Sequence, residues 1–200
     1  MPNLLIPDKF ATFTLAQLED DNALLTAKAT SLTAVTYAVA TLDGALASPG
    51  PAVMRFPQRV RVETSTEAAA YNTTDAIVFT GTDDSGAAVT ESITLANAGG
   101  NEVQDGAQGF LGMVSIAIPA QLKNSGQFTI GVTDIQFSKE RPGLQVEFGA
   151  AGNIVVEFFD GSVETVVGLE GAKKEGLIKR VVDTSTTADP ITVWRGRSHA

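Results

Sequence analysis

Apolar and polar residues alternate most clearly in two runs joined by turn-forming residues, within positions 76–95. The second run has an apolar and a polar side: Val89, Ile93 and Leu95 against Thr90, Ser92 and Thr94. A period of two is typical of a strand with one buried and one solvated face. The connecting residues 83–86 are Asp-Asp-Ser-Gly, and Gly86 can adopt the positive φ of such a turn. This pattern predicts a β-hairpin. Glu91 falls on its apolar side, which indicates a position near a sheet edge or a contact with another chain.

Short strand-like runs recur along the rest of the chain with turn signals between them. They occupy residues 57–64, 113–118, 128–132, 144–148, 154–159, 163–167, 177–182 and 191–194. Alternation predicts that Val60 and Val62 face inward and that Val114, Ile116 and Ile118 share one face. Asp160-Gly161 lies between two apolar runs and is a strong hairpin signal. Residues 97–109 are rich in Gly and Asn and are predicted to be a long loop. The regular spacing of strands predicts a mainly β fold made of antiparallel β-sandwich or barrel modules.

The N-terminal residues follow a different pattern. Residues 1–13 are apolar without a stable period and are broken by Pro2 and Pro7, which predicts an extended arm that docks on a neighbour, or a disordered tail. From Thr14 a capping-box pattern and apolar residues at helical spacing predict a helix. The stripe consists of Leu15, Leu18, Leu25 and Leu32. It fits a helical seam between subunits as well as a helix that covers its own sheet.

Two stretches indicate domain boundaries. Residues 48–51 read Ser-Pro-Gly-Pro, the clearest linker signal in the chain. Residues 138–143 contain the densest local charge, followed by Pro142. We therefore expect an N-terminal arm and helix at 1–47, a β-sandwich-like module at 52–137 and a second small β module at 143–197.

Composition narrows the classes of partner. Of the 200 residues, 44% are hydrophobic and only 18% are charged, which suits a surface packed against other copies better than the surface of a free monomer. The formal net charge of −9 disfavours binding to nucleic acid, because phosphate neutralisation needs clustered Lys and Arg. No run approaches the ~20 apolar residues of a membrane helix, and the N-terminus lacks a secretory signal pattern. We expect a soluble protein made in the cytosol, with no membrane partner.

Residues that carry catalytic chemistry are scarce. The chain contains no Cys, and its single histidine, His199, is penultimate. Nucleophile–base pairs and zinc sites are therefore disfavoured, and no phosphate-binding loop is present. Carboxylates on strands, such as Glu91 and Glu157, fit solvated positions better than a catalytic pair. The acidic turn at 83–86 fits turn chemistry better than calcium binding. We predict a protein that is not an enzyme and has no cofactor or metal.

One segment resembles a known class of proteins. Residues 78–95 read Val-Phe-Thr-Gly-Thr-Asp-Asp-Ser-Gly-Ala-Ala-Val-Thr-Glu-Ser-Ile-Thr-Leu. This string resembles a segment common in virion structural proteins of tailed bacteriophages, which read as a Thr-rich strand, Gly-Thr-Asp, a Gly turn and Val-Thr-Glu-x-Ile-Thr-Leu. Residues 109–119 and 128–132 are similar to its continuation. In the second half, residues 152–156, 178–181 and 184–187 resemble head-spike base proteins of phages and gene-transfer agents.

The resemblance implies a structural protein of the virion, made in the host cytoplasm and located on the capsid surface. It would decorate or cement the head, or form the base of a head spike, by binding the major capsid protein lattice. A homotrimer is expected by analogy with the three-fold positions of capsids. The alternatives are a tail, adaptor or baseplate component, and a carbohydrate-binding or depolymerising receptor module.

The N-terminal stretch lies outside the resemblance, but its apolar side chains predict attachment to the capsid or to other subunits. Trp194 fits either the core of the last strand or an interface anchor. The predicted partner-binding residues are Leu4, Leu5, Ile6, Phe10, Phe13, Leu18, Leu25 and Trp194.

Overall fold

A computed structural model describes residues 5–14, 20–44, 53–139, 141–182 and 185–198 of the chain. In these residues the mainly β fold is confirmed, since strands dominate and the only helical element is a 3-10 turn at Val39–Thr41. The strands in chain order are β1 (Leu5–Phe13), β2 (Asp20–Ala29), β3 (Val35–Ala38), β4 (Val53–Thr64), β5 (Ile77–Thr82), β6 (Ala88–Ile93), β7 (Val103–Ile118), β8 (Gln127–Gln136), β9 (Gly143–Phe148), β10 (Gly152–Phe158), β11 (Val163–Gly168), β12 (Lys173–Val182) and β13 (Ile191–Ser198).

The chain divides into two units. The central unit is Asp20–Thr133, and the terminal unit combines Met1–Glu19 with Asp134–Ala200. The division falls between Thr133 and Asp134, whereas the predicted boundary between the two β modules was at 137–143. The described strands within residues 1–47 are divided between the two units, because β1 pairs with β13 while β2 and β3 pair with β8 and β7. A strand pairs with whichever neighbouring strand offers an unpaired backbone edge in the fold. The distance between two strands along the sequence does not show which edge that is.

The central unit has the strand order β8-β4-β7-β5-β6, with β2 also paired to β8 and β3 to β7. Its core includes the fully buried rings of Phe79, Phe110 and Phe128, together with Val60 and Val62, which face inward as predicted. Full burial of such side chains contributes about 1.5–3 kcal/mol each. This core holds the sheet together.

The predicted hairpin at 76–95 is confirmed as β5, a turn and β6. Gly86 has φ +84°, and the Asp83 Oδ1 accepts hydrogen bonds from the backbone N–H groups of Ser85 and Ala87 at 2.8 and 2.9 Å. β6 ends the strand order, so Glu91 lies on an edge strand as predicted. Its carboxylate accepts hydrogen bonds from the N–H groups of Ala107 and Gln108, where β7 shifts register against β4.

Three sequence predictions for the central unit are wrong. Asp20–Ala29 is a strand paired with β8, so the described part of the predicted helix is extended, and Leu32 is 61% exposed outside that strand. A lone helix is marginal in water, and pairing with β8 overrides the helical spacing. Strand β7 begins at Val103, within the predicted loop. Val114 is exposed rather than buried with Ile116, because a register shift between β5 and β7 reverses the faces there.

The terminal unit pairs β1 with β13, β13 with β9, β9 with β12, β12 with β10 and β10 with β11, all antiparallel. The last residues of β8 also pair with β12, through Ile135 opposite Val181. All five strand runs predicted beyond residue 143 are present. The buried apolar side chains of this unit include Val146, Phe148, Ile154, Val156, Ile178, Val181, Ile191 and Val193.

Candidate interaction surface

The β10–β11 hairpin ends the sheet of the terminal unit. Its turn forms as Asp160-Gly161 predicts: Gly161 has φ +87°, and the Asp160 Oδ1 accepts hydrogen bonds from the N–H and hydroxyl of Ser162 at 2.9 and 2.6 Å. These hydrogen bonds hold the pKa of Asp160 below its ordinary value. The pairing runs from Gly152 opposite Gly168 to Glu157 opposite Val163 without a register shift. The hairpin is therefore regular up to its tip.

Strand β11 pairs only with β10 in the described residues, so one of its two backbone edges is open in that part of the chain. The N–H of Phe158 donates to the carbonyl of Ser162 at 2.9 Å, which makes that pair a hydrogen-bonded one. Hydrogen-bonded and non-hydrogen-bonded pairs alternate in an antiparallel ladder. The backbone groups of Val163, Thr165 and Val167 therefore point away from β10, toward the open edge.

The same residues carry exposed side chains. Val163 and Val167 are 61% and 76% exposed, and Thr165 between them is exposed as well. Leu169, just past the strand, is 74% exposed. Single exposed apolar residues are ordinary on a protein surface, but several along one open strand mark an interaction site. We call the residues Val163, Thr165, Val167 and Leu169 the β11 edge.

The single charged side chain of β11 is paired within the chain. Glu164 alternates with the edge residues and so points to the other face, where its carboxylate lies 2.7 Å from the Lys174 Nζ. The Lys174 Nζ also lies 5.7 Å from the ring centroid of Phe158, which is within cation–π range. The only charged side chain of β11 is thereby neutralised on the face opposite the exposed valines.

A second charge cluster supports β10 from the side of β12. The Glu157 carboxylate lies 2.6 Å from the Lys179 Nζ and 2.6 Å from an Arg180 Nη, and Arg180 also pairs with Asp134 at 3.2 Å. Burial raises the pKa of Glu157, but the hydrogen bond from Lys179 and the charge of Arg180 outweigh it and hold the pKa below its ordinary value. This cluster keeps β10 in place and leaves the outer edge of β11 uninvolved.

A cleft lies beside the hairpin tip. It has a volume of about 430 Å³ and is lined by Phe158, Phe159, Asp160, Ser162, Gly176 and Leu177. Leu177 is 55% exposed, so the cleft adds to the apolar surface of this region. Gly176 has φ +157°, and a Cβ there would come within 2.4 Å of the Phe158 ring, so the ring needs the space that glycine leaves. The cleft is therefore lined by apolar side chains together with the acidic side chain of Asp160.

The structure separates the predicted partner-binding residues. Leu4 and Leu18 lie outside the described residues. Leu5, Ile6, Phe10 and Phe13 lie on β1, whose backbone is paired with β13 from Leu5 opposite Ser198 to Phe13 opposite Ile191. The predicted arm is thus a strand of the terminal unit. Leu25 is fully buried in the core of the central unit, so it is a core residue rather than part of an intersubunit seam.

Trp194 lies on β13, opposite Lys9 of β1 and Gln145 of β9. It is half-buried, and the Lys173 Nζ is 5.6 Å from its ring centroid. Its Nε1 and the Nε2 of Gln145 are buried and have no hydrogen-bond partner among the described residues. Trp194 therefore lies within the sheet of the terminal unit and is not part of the β11 edge.

The apolar run at 163–167 predicts a strand but does not show that this strand is an exposed edge. Val163, Val167, Leu169 and Leu177 are apolar, and apolar residues are expected to be buried. The available signal is the absence of Lys and Pro from residues 163–168, since edge strands usually carry such protective residues. That signal has meaning only once the strand order is known.

The described residues contain no group of three or more His, Asp or Glu side chains placed to hold a metal ion. Within the same residues no helix is long and apolar enough to cross a membrane. No protein-family model, curated protein or solved structure matches the chain. Inferences about function therefore rest on the chain's own residues.

Proposed function

We propose that the chain is a non-enzymatic structural protein of a tailed-bacteriophage virion. It decorates or cements the capsid, or forms the base of a head spike, by binding the major capsid protein lattice. The resemblance of residues 78–95 supplies the class of protein. The observation that carries the structural role is the β11 edge, an open and apolar strand that suits assembly with other chains.

The edge differs from the edges that monomeric proteins expose. Those edges are usually short, bulged, or protected by Lys or Pro, because an open strand recruits other strands. Residues 163–168 have no Lys or Pro, and the pairing with β10 has no bulge. An unprotected apolar edge suits a protein whose working state is an assembly. The low charged fraction of the chain, 18%, supports the same role.

Cosedimentation tests the proposal directly. The purified chain is mixed with capsids assembled from the major capsid protein of its source phage and centrifuged through a sucrose cushion. We expect saturable binding at a fixed ratio to the capsid protein and added density on the capsid surface by cryo-electron microscopy. Binding to tails but not to heads would favour the tail or baseplate alternative. Binding to neither would overturn the proposal.

The cleft at the hairpin tip favours one other function, carbohydrate binding. Aromatic rings with a nearby carboxylate are a common arrangement for sugar recognition, and here Phe158 and Phe159 lie with Asp160. A glycan array that retains the wild-type chain but not the Phe159→Ala variant would support this alternative. Retention of neither protein would leave the cleft as part of the apolar surface alone.

A further inference from the structure

We propose that a second copy of this chain docks on the β11 edge. The two β11 strands pair antiparallel around a two-fold axis at Thr165 and join two terminal-unit sheets into one. This inference rests on the proposed assembly role, and it deepens that role by naming the partner and the register. The backbone, the side chains and the charges of β11 together favour a second copy of the chain as the partner.

The backbone sets the register. The open N–H and C=O groups belong to Val163, Thr165 and Val167, which are spaced symmetrically about Thr165. In a two-fold antiparallel pair, Thr165 lies opposite Thr165 of the second copy, and Val163 lies opposite Val167. Each of these three pairs then exchanges two hydrogen bonds. A shift by one residue would place inward-pointing backbone groups at the interface and lose those bonds.

The side chains agree with this register. Directly opposite residues share a face, so Val163 of one copy packs beside Val167 of the other on both sides of the central Thr165 pair. Cross-strand pairs between β-branched residues and between threonines are favourable. Leu169 lies just past the strand, and its exposed side chain extends the apolar contact beyond the Val167 position. The most exposed apolar residues of the hairpin thus become buried together.

The charges select antiparallel over parallel pairing. In the antiparallel register the single acid of β11, Glu164, lies opposite Val166 of the second copy. Each Glu164 also keeps its own ion pair with Lys174. A parallel pair in register would place the two Glu164 side chains beside each other, and adjacent like charges are destabilising. The antiparallel register therefore moves the two Glu164 side chains from directly opposite to diagonal positions, which lie farther apart.

Cysteine cross-linking tests the register, because the chain contains no Cys of its own. Opposite residues of a hydrogen-bonded pair have Cα atoms about 5.5 Å apart, within the range that a disulfide spans. Thr165→Cys should give a disulfide-linked dimer under mild oxidation. Val163→Cys alone should not, whereas an equal mixture of Val163→Cys and Val167→Cys should. Ser92→Cys, exposed on the edge strand β6 of the central unit, is the matched control and should give no disulfide-linked dimer.

A second set of variants tests the contact without oxidation. Val163→Lys with Val167→Lys places charges along the edge and should convert the dimer to a monomer in sedimentation velocity. Leu122→Lys, at a similarly exposed position of the central unit, should leave the dimer intact. Unchanged circular dichroism and melting curves establish that each variant is folded. If the lysine variant remained dimeric, the β11 edge would not be the interface.

The outcomes separate this inference from the proposed function. Equal cross-linking by Val163→Cys and Thr165→Cys would overturn the antiparallel register. A monomeric wild-type chain, or a trimer without Thr165→Cys cross-links, would overturn the two-fold contact. In either case the proposed function would still be tested independently by cosedimentation with capsids. Cross-linked dimers that do not bind capsids would support the contact and count against the capsid role.

Discussion

Asp21 lies close enough to Glu63 in the central unit for the negative charge of one acid to act on the carboxyl group of the other. Burial raises the pKa of Glu63, and the negative charge of Asp21 raises it further, whereas Arg61 opposes the shift. Arg61 itself lies 2.7 Å from Asp105 and 3.7 Å from Asp21. Three acids thus lie around one guanidinium, and the surroundings of Glu63 raise the pKa of its carboxyl group.

The first prediction concerns this pair. Because the folded pKa of Glu63 lies above its unfolded value, the folded state binds the proton more tightly. The stabilisation that comes from proton binding at Glu63 is complete below the unfolded-state pKa of Glu63. It is lost as the pH rises through the folded-state pKa of Glu63. Glu63→Gln keeps a donor toward Asp21 without a charge. At pH 7 it should raise the free energy of unfolding by about 0.5 kcal/mol, the scale of partly exposed charge interactions.

Urea denaturation between pH 4 and pH 7 measures this effect. The advantage of Glu63→Gln over wild type should grow with pH. Glu67→Gln, a nearby acid outside the cluster, should show no such trend. An advantage of Glu63→Gln that shrinks with rising pH would contradict the assignment.

The second prediction has the opposite sign. The pKa of Glu157 lies below its ordinary value, so its contribution to stability is present above the unfolded pKa and is lost as the pH falls through the folded pKa. Glu157→Gln removes the charge that Lys179 and Arg180 face. We expect a loss of about 1–2 kcal/mol at pH 7, because hydrogen bonds to charged groups are stronger than neutral ones.

Thermal melts at pH 7 and near pH 3 test this prediction. The difference in melting temperature between Glu157→Gln and wild type should shrink at the lower pH. Glu170→Gln, an exposed acid past β11, is the control and should match wild type at both pH values. An equal loss at both pH values would show that the shape of the side chain matters rather than its charge.

The third prediction concerns the turn of the β5–β6 hairpin. Gly86 has φ +84°, and a Cβ there would meet nothing within 4 Å. Any cost of substitution therefore comes from the backbone conformation. Gly86→Val should lower the free energy of unfolding by more than about 1 kcal/mol, since a β-branched residue resists positive φ. Gly86→Asn should cost less, because Asn tolerates this region. Equal urea midpoints for the two variants would show that φ is not the cause.

The fourth prediction compares the two tyrosines of the chain. The hydroxyl of Tyr71 donates toward the carbonyls of Ser65 and Gln127 at 2.8 and 3.0 Å, and its ring packs edge-on against Phe128. Tyr71→Phe keeps the ring but removes the hydrogen bonds of the hydroxyl, while the carbonyls of Ser65 and Gln127 each keep a backbone N–H donor, from Asn101 and Ser65. We expect a loss of about 0.5–1.5 kcal/mol in chemical denaturation, the net contribution of a typical hydrogen bond.

Tyr37→Phe is the natural control for that experiment. Tyr37 is half-buried on β3 and packs against the same core. Its replacement should change the free energy of unfolding by less than about 0.5 kcal/mol. A larger effect at Tyr37 than at Tyr71 would refute the importance assigned to the Tyr71 hydroxyl.

Local patterns predicted the strands but not their neighbours. The hairpin turns at Gly86 and Gly161 could be predicted from the sequence, because each turn requires a positive φ and glycine adopts a positive φ without strain. The strand nature of residues 20–29 does not follow, because the leucine spacing fits a helix until β8 is present to pair with them. Local preference is weak compared with the pairing that tertiary structure provides.

The candidate surface was harder to predict for a related reason. Val163 and Val167 have the same chemistry as the buried valines of β4, and only the strand order makes them an edge. The opposite holds for the N-terminal stretch. Its residues were predicted to bind other chains, but the backbone of Leu5–Phe13 pairs with β13 of the same chain. Whether a strand is open or covered depends on residues far away in the sequence.

The pairing of β1 with β13 imposes an order on folding. The central unit is contiguous in sequence and can fold as soon as its residues leave the ribosome. The terminal unit folds later, because Leu5 can pair with Ser198 only after the intervening residues and Ser198 itself have been translated. Strand β11 is synthesised before β13, so the proposed docking edge emerges on the nascent chain before its own sheet is complete. Neighbouring ribosomes on one message therefore bring open β11 edges close together. Synthesis of β13, which completes the sheet of the terminal unit, ends this interval.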